Sequence, residues 1–319
     1  MDAYYELFGY GKLFGNGIKK NTVSKNDLTG LASQLRTITK EDALDDYNKL
    51  KEVDCKVNND TRHVGNKATD LFFLQYRLLT TTKKGMSFPE SLKTDEYNKP
   101  YYKKFIEKAV KNGRSIIEAK YSAFRLYSGS ISAFKPIIAR RLYCMFNPTT
   151  ILDFSAGWGG RCLGAMSLDI NYIGFDTNIA LKSAYKNMIK MYPHTSDVKI
   201  YFKDSSKVDY SKFKYDMVFT SPPYYLKTKP TEAYQNMPIY KDRDDFNERF
   251  FFLVVSNTWK NLQNNGVYAL NIPIDMYNDI KTILGKAHKK IPLHISQRAS
   301  EERLGGDYKE FIYIWYKTL

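Results

Sequence analysis

The sequence is poor in the residues that build covalent or metal-held frameworks. Its 319 residues include three cysteines, Cys55, Cys144 and Cys162, odd in number and widely spaced. That spacing matches neither a disulfide framework nor a zinc-binding pattern, and it points to a reducing compartment. The four histidines (His63, His194, His288 and His294) are scattered with no pair at i, i+4, so no metal site is expected. There is no unbroken apolar run of about 18 residues, so no membrane-spanning helix and no membrane partner are expected. Residues 1–20 lack the apolar stretch of a secretory signal. The expected setting is therefore cytoplasmic, or a nuclear or viral replication compartment. Glycine (18) and proline (11) are ordinary, and 26 Tyr with 19 Phe supply ample core material, which excludes fibrous and disordered classes.

Acidic residues are also in deficit: 34 Asp and Glu face 49 Lys and Arg, for a net charge of +15. A lysine-rich composition of the kind produced by A/T-rich codons accounts for part of this excess. Its distribution says more. Residues 101–150 hold 10 basic and 2 acidic residues, whereas residues 1–50 are balanced at 7 and 7. Charge concentrated in one stretch is the footprint of an anion-binding surface, most often for nucleic acid.

The chain divides by texture into residues 1–115, a mostly helical N-terminal region suited to nucleic-acid recognition, and residues 116–319. In the first part, Thr39-x-x-Asp42 predicts a capped helix to about Lys51. Apolar periodicity predicts another helix over Asp70–Thr82. Gly85, Pro89 and Pro100 mark Lys83–Lys104 as a loop. In the second part, after a helix over Phe134–Phe146, short apolar runs alternate with helix-length segments. The expected strands are Thr150–Phe154, Tyr172–Phe175, Val198–Phe202, Met217–Thr220, Val267–Ile272, His294–Gln297 and Phe311–Tyr316. The expected helices are Arg161–Leu168, Asn178–Met191, Asp244–Asn264 and Met276–Lys286. Such alternation predicts an α/β, doubly wound sheet of seven strands. The last two strands are separated only by the turn signal Leu304-Gly305-Gly306-Asp307, so they are expected to form an antiparallel hairpin.

Two motifs carry chemistry. In Ile151-Leu152-Asp153-Phe154-Ser155-Ala156-Gly157-Trp158-Gly159-Gly160 an apolar strand runs into a glycine-rich turn and then a helix. Glycine there lets backbone approach a ligand closely. The pattern is not G-x-G-x-x-G, and a carboxylate ahead of the turn would repel a pyrophosphate. With Asp176 at the end of the next strand, placed to accept from a ribose diol, the arrangement suits S-adenosylmethionine. The second motif, Asp216-Met217-Val218-Phe219-Thr220-Ser221-Pro222-Pro223-Tyr224, ends a strand in a rigid corner of carbonyls, a hydroxyl and an aromatic face. Acceptors of this kind can hold both N–H bonds of an exocyclic amino group and free its lone pair, and the ring can stack on an extruded base.

These residues resemble the S-adenosylmethionine-dependent DNA amino-methyltransferases, which methylate cytosine N4 or adenine N6; the resemblance covers about residues 128–319. It implies a Rossmann-like methyltransferase sheet of seven strands ending in an antiparallel pair. It implies cofactor contacts at Asp153, Phe154, Ser155, Ala156, Gly157 and Gly159, at Asp176, and at Asp204 beside the adenine amino group. Phe134 and Lys135 lie where that family closes over the methionine end. Catalytic roles fall on Ser221, Pro222, Pro223 and Tyr224. Serine at 221 is typical of the cytosine-N4 members, whereas Asp or Asn there is more frequent among the adenine-N6 members. Many members carry a long recognition insertion that this sequence lacks, which leaves recognition to residues 1–115 and the loop Tyr225–Arg243. Candidate nucleic-acid contacts are Arg125, Arg140, Arg141, Tyr225, Lys227 and Lys229. DNA is the expected partner, with RNA as the alternative substrate, and the family leaves room for a cognate nuclease and a restriction-modification role. A non-catalytic nucleic-acid-binding protein with a relic cofactor fold is the remaining alternative.

Overall fold

A computed structural model describes residues 25–55, 63–82, 84–129, 131–226, 229–230, 240–293 and 310–318. The N-terminal part is helical: α1 Lys25–Leu35, α2 Lys40–Glu52, α3 Asn66–Leu78, α4 Pro100–Lys111 and α5 Ile116–Tyr127. Helix α2 starts at the expected capping box. Thr39 Oγ1 accepts from Asp42 N (3.0 Å), and the Asp42 carboxylate accepts from Thr39 N (3.2 Å). Helix α3 begins four residues before the apolar periodicity suggests, after Gly65 turns the chain at φ +85°. The expected loop over Lys83–Lys104 is instead largely ordered into short helices. Phe88–Ser91 forms one helical turn boxed by Ser87 and Glu90, Asp95–Asn98 forms a 3₁₀ turn, and α4 opens at Pro100. Pro89 and Pro100 both occupy a first helical turn, where the missing N–H removes no intrahelical bond.

The sheet comprises β1 Thr150–Asp153, β2 Asn171–Asp176, β3 Val198–Phe202, β4 Met217–Thr220, β5 Val267–Pro273, β6 Lys289–Pro292 and β7 Glu310–Tyr316. Their spatial order is β3-β2-β1-β4-β5-β7-β6. The first five are parallel, and β7 runs antiparallel to both β5 and β6. This is the seven-stranded α/β architecture expected from the sequence. The penultimate strand is Lys289–Pro292; the strand expected at His294–Gln297 and the Gly305-Gly306 turn lie outside the described residues.

Side-chain alternation divides the core in two. On one face Ile151, Phe219, Ala269 and Ile314 pack under α6 (Pro136–Phe146), α7 (Gly160–Met166) and α8 (Lys182–Met191). The same cluster includes Ala43 and Tyr47 of α2 and Phe73 of α3, so packing runs continuously across residue 115. On the other face Leu152, Val218, Tyr268, Leu270 and Trp315 meet Phe251, Val254, Val255 and Met276. The long helix expected over Asp244–Asn264 divides into a turn at Arg243–Phe246, a π-helical stretch Asn247–Phe251, and α9 Phe252–Asn261. The widened turn lets Phe246 share one buried face with both Phe250 and Phe251. Helix α10, Ile274–Leu284, follows β5 directly.

The cysteine expectation is corrected. Cys55 and Cys144 are joined as a disulfide across 89 residues of sequence, a pairing that linear spacing conceals. Cys162 is a buried free thiol whose pKa burial pushes up. Among the described residues no helix is long and apolar enough to cross a membrane, and no three His, Cys, Asp or Glu side chains gather as a metal cluster.

Candidate active site at the carboxyl ends of β1 and β4

Strands β1 and β4 are hydrogen-bonded neighbours, so the two motifs emerge side by side from the carboxyl edge of the sheet. After β1 the chain reverses through Gly157 (φ +61°) and Gly159 (φ +75°) into α7. The two glycines differ in purpose. A Cβ at Gly159 would sit 2.5 Å from Phe73 Cε2, so α3 is docked onto that glycine. Among the described residues a Cβ at Gly157 would meet nothing closer than Ser155 O at 3.7 Å, so open space lies beside this backbone. Two carboxylates stand near the turn. Asp176, at the end of β2, accepts from Gly157 N (2.7 Å) and Asn178 N (2.8 Å). Burial pushes its pKa up to about 6 against those two N–H groups, with Asp153 adding to the rise and Arg161 opposing it. Asp204, past the end of β3, caps the next turn through Ser206 N (2.9 Å) and stays half-exposed.

Asp153 has another task than the one its position suggested. It is completely buried. Its carboxylate takes Arg161 Nε (2.6 Å), Tyr172 OH (2.5 Å), Thr220 Oγ1 (2.8 Å) and Ser155 N (3.1 Å). Burial works against the Arg161 charge, and the Asp153 carboxylate together with Tyr172 and Tyr143 more than offsets it. This buried pair ties β1, β2, β4 and α7 together beneath the site, so the assignment of Asp153 as a direct cofactor contact is corrected to a scaffold role. Within the same motif Phe154 is core, its carbonyl accepting from Ser205 Oγ (2.6 Å). Ala156 is buried, its N–H bonded to Phe175 O (2.8 Å). Ser155 and Gly157 remain half-exposed. Phe134 braces the turn from just ahead of α6: its carbonyl occupies the space a Gly160 Cβ would need, and its ring lies 5.4 Å from the Arg161 guanidinium. Lys135 is the N-cap of α6.

At the second motif Pro222 is buried, while Ser221, Pro223 and Tyr224 are half-buried. Ser221 Oγ and Tyr224 OH are 3.0 Å apart. Two residues that the sequence reading did not single out join them, Asn271 of β5 and Glu310 at the start of β7. Asn271 Nδ2 lies 3.2 Å from Ser221 Oγ, 2.6 Å from Tyr224 OH and 2.5 Å from Glu310 Oε1. Tyr224 OH lies 2.7 Å from Glu310 Oε1 and 3.1 Å from Asn271 O. A signal for Asn271 existed in the sequence: it is the one polar residue in the buried run Val267–Pro273. Glu310 had none, because the segment before it shows only a turn.

The expected nucleic-acid contacts fare unevenly. Arg140 is 5% exposed and spends its guanidinium on Lys51 O (2.7 Å), Val53 O (2.6 Å) and Cys55 Sγ (2.9 Å), so it is corrected to an internal tie. Tyr225 is 5% exposed and stacks on Phe246 at 5.3 Å, which removes it from the surface. Arg125 is exposed, its guanidinium 5.7 Å from the Tyr121 ring, and Arg141 is half-buried. Lys227 lies outside the described residues; Lys229 is described only as backbone in a short ribbon with Tyr225–Leu226.

No family model and no curated protein matches this sequence. Among solved structures the chain is similar to TrmN from Thermus thermophilus (16% identity over 58% of this chain and 49% of that one, TM-score 0.35). It is similar also to NSun6 from Pyrococcus horikoshii with SFG (14% identity, 62% and 55%, TM-score 0.41). A third is the 16S rRNA N2 G1207 methyltransferase RsmC of T. thermophilus, in complex with AdoMet and guanosine (14% identity, 60% and 45%, TM-score 0.38). The chain spans about half the length of each of these three.

Proposed function

We propose that this protein transfers a methyl group from S-adenosylmethionine to the exocyclic amino nitrogen of a nucleic-acid base. DNA is the first substrate by resemblance, with cytosine N4 ahead of adenine N6, and RNA is the alternative. One observation carries the reading: an open glycine turn flanked by two acceptor carboxylates emerges beside a Ser-Pro-Pro-Tyr corner on adjacent strands. The residues fit that cofactor. Asp176 retains lone pairs for ribose hydroxyls beyond its two backbone donors, Asp204 can accept from an adenine amino group, and Gly157 leaves room for close approach. No phosphate has to sit against these carboxylates.

When bound, the cofactor supplies a methyl carbon made electrophilic by a sulfonium. The rest falls to the chain. Ser221 Oγ and the Pro222 carbonyl accept the amino N–H bonds, which draws the nitrogen toward tetrahedral geometry and directs its lone pair outward. Tyr224 offers its face to the extruded base. After transfer the cationic nitrogen is acidic and loses its proton without a strong base. Exposed Lys103, Lys104, Lys108 and Lys111 of α4, with Arg114, supply a surface for the phosphate backbone.

The test is mass spectrometry of nucleosides from DNA and from RNA incubated with the protein and S-adenosylmethionine. A methylated amino base in either is the expected result. Ser221→Ala and Tyr224→Ala should each lower the rate by about 10- to 100-fold. Wild-type turnover in both variants would sink the assignment of the corner.

A further inference from the structure

Asn271 is 2% exposed, and among the described residues its side-chain oxygen is buried without a hydrogen-bond partner. A buried carbonyl left without a donor is destabilising, so its retention asks for a reason. The amide cannot relieve itself by turning over. Its nitrogen faces Glu310 Oε1 at 2.5 Å, and exchanging the two ends would press an oxygen against that carboxylate. Glu310 therefore fixes which end of the amide faces the carboxylate and leaves Oδ1 in need of a donor. The amide also touches Ser221 Oγ and Tyr224 OH, and both of those residues are half-exposed.

Building on the proposed amino-methyl transfer, we infer that Asn271 Oδ1 is an acceptor for the substrate's exocyclic amino group, with Glu310 as the positioning residue that orients it. An amino group has two N–H bonds to place: the Pro222 carbonyl takes one, and Asn271 Oδ1 shares the other with Ser221 Oγ, which its own amide nitrogen approaches at 3.2 Å. Position 221 then needs no carboxylate or amide of its own, because β5 provides the amide from the neighbouring strand. It follows that serine at 221 does not by itself select cytosine, since a further acceptor comes from β5.

The experiment uses the full chain, wild type and Asn271→Ala. Calorimetric titration with S-adenosylhomocysteine reports folding and cofactor binding. Affinity is then measured for oligonucleotide pairs that differ only in the amino group: adenine against purine, cytosine against 2-pyrimidinone, and guanine against hypoxanthine. Wild type should prefer the amino-bearing member of one pair by about tenfold. Asn271→Ala should lose that preference, with kcat/KM down by about tenfold or more and S-adenosylhomocysteine affinity unchanged. Preserved preference and wild-type kcat/KM in Asn271→Ala overturn the inference while the methyl-transfer reading stands. Absence of methylation of any nucleic acid by wild type overturns both. Should Asn271→Ala fail to fold, Glu310→Gln decides, because it keeps size but frees the amide to turn. Its preference should fall several-fold, and an unchanged preference is evidence against the inference.

Discussion

Asp176 is a residue whose two obligations oppose each other. Burial pushes its carboxyl up to about 6, above the ordinary 3.8. A raised folded-state pKa means that this group's contribution to stability declines as pH rises from about 4 to about 6 and then levels off. The proposed cofactor binding makes the reverse demand, because only the carboxylate could accept two ribose hydroxyls while also holding Gly157 N and Asn178 N. Affinity for S-adenosylhomocysteine should therefore be constant above pH 6 and fall about tenfold per pH unit below it. Calorimetric titrations between pH 5 and 8 check this, and Asp176→Asn should bind weakly with no such dependence. The contrast with Asp153 shows what a sequence discloses at this scale. The spacing of both acids was legible. That one would be sealed by Arg161, Tyr172 and Thr220 was not, because its donors come from three separate elements that meet only in the folded sheet.

The glycine turn is where one element would serve both folding and the proposed binding. Gly157 and Gly159 each need a positive φ, so alanine is strained at either position, by about 1–2 kcal/mol. Only at Gly159 does the new methyl meet the buried Phe73 ring, at 2.5 Å. Gly159→Ala should thus destabilise the protein by clearly more than Gly157→Ala in urea denaturation, by about 1–3 kcal/mol for the overpacking alone. Gly157→Ala should instead keep most of its stability and, on the proposed function, lose cofactor affinity, since its methyl would project into the open space beside the turn. Equal stability losses with equal binding losses would contradict this division. Elements with local signals were readable: the Thr39–Asp42 box and the apolar runs of β1 to β5 depend on neighbours in sequence. Segment Lys83–Lys104 was misread because proline breaks a helix interior yet starts a helix, and only the register of the following turn tells which applies.

Across the whole molecule the positive charge sorts itself by packing. Helix α4 buries Tyr102, Ile106 and Ala109 against Leu78, Phe88 and Phe124. That orientation leaves Lys104, Lys108 and Lys111, spaced for one helical face, exposed to solvent. Arg140, from the same basic stretch of sequence, is drawn inward to backbone carbonyls near the Cys55–Cys144 link and is lost to any ligand. The localisation of charge was therefore visible in the sequence, but its division between surface and interior was not. If the α4 face holds a phosphate backbone, each lysine displaces about one counterion, and binding weakens linearly in log affinity against log salt. The combined substitution K104A/K108A/K111A should lower the slope of that plot by about three and weaken binding evenly across sequences. Fluorescence anisotropy with labelled DNA and RNA over a salt series reads the slope, and S-adenosylhomocysteine affinity serves as the control for folding. An unchanged slope would move the phosphate contacts off α4 and onto the other face of the N-terminal helices or the segment after Tyr225.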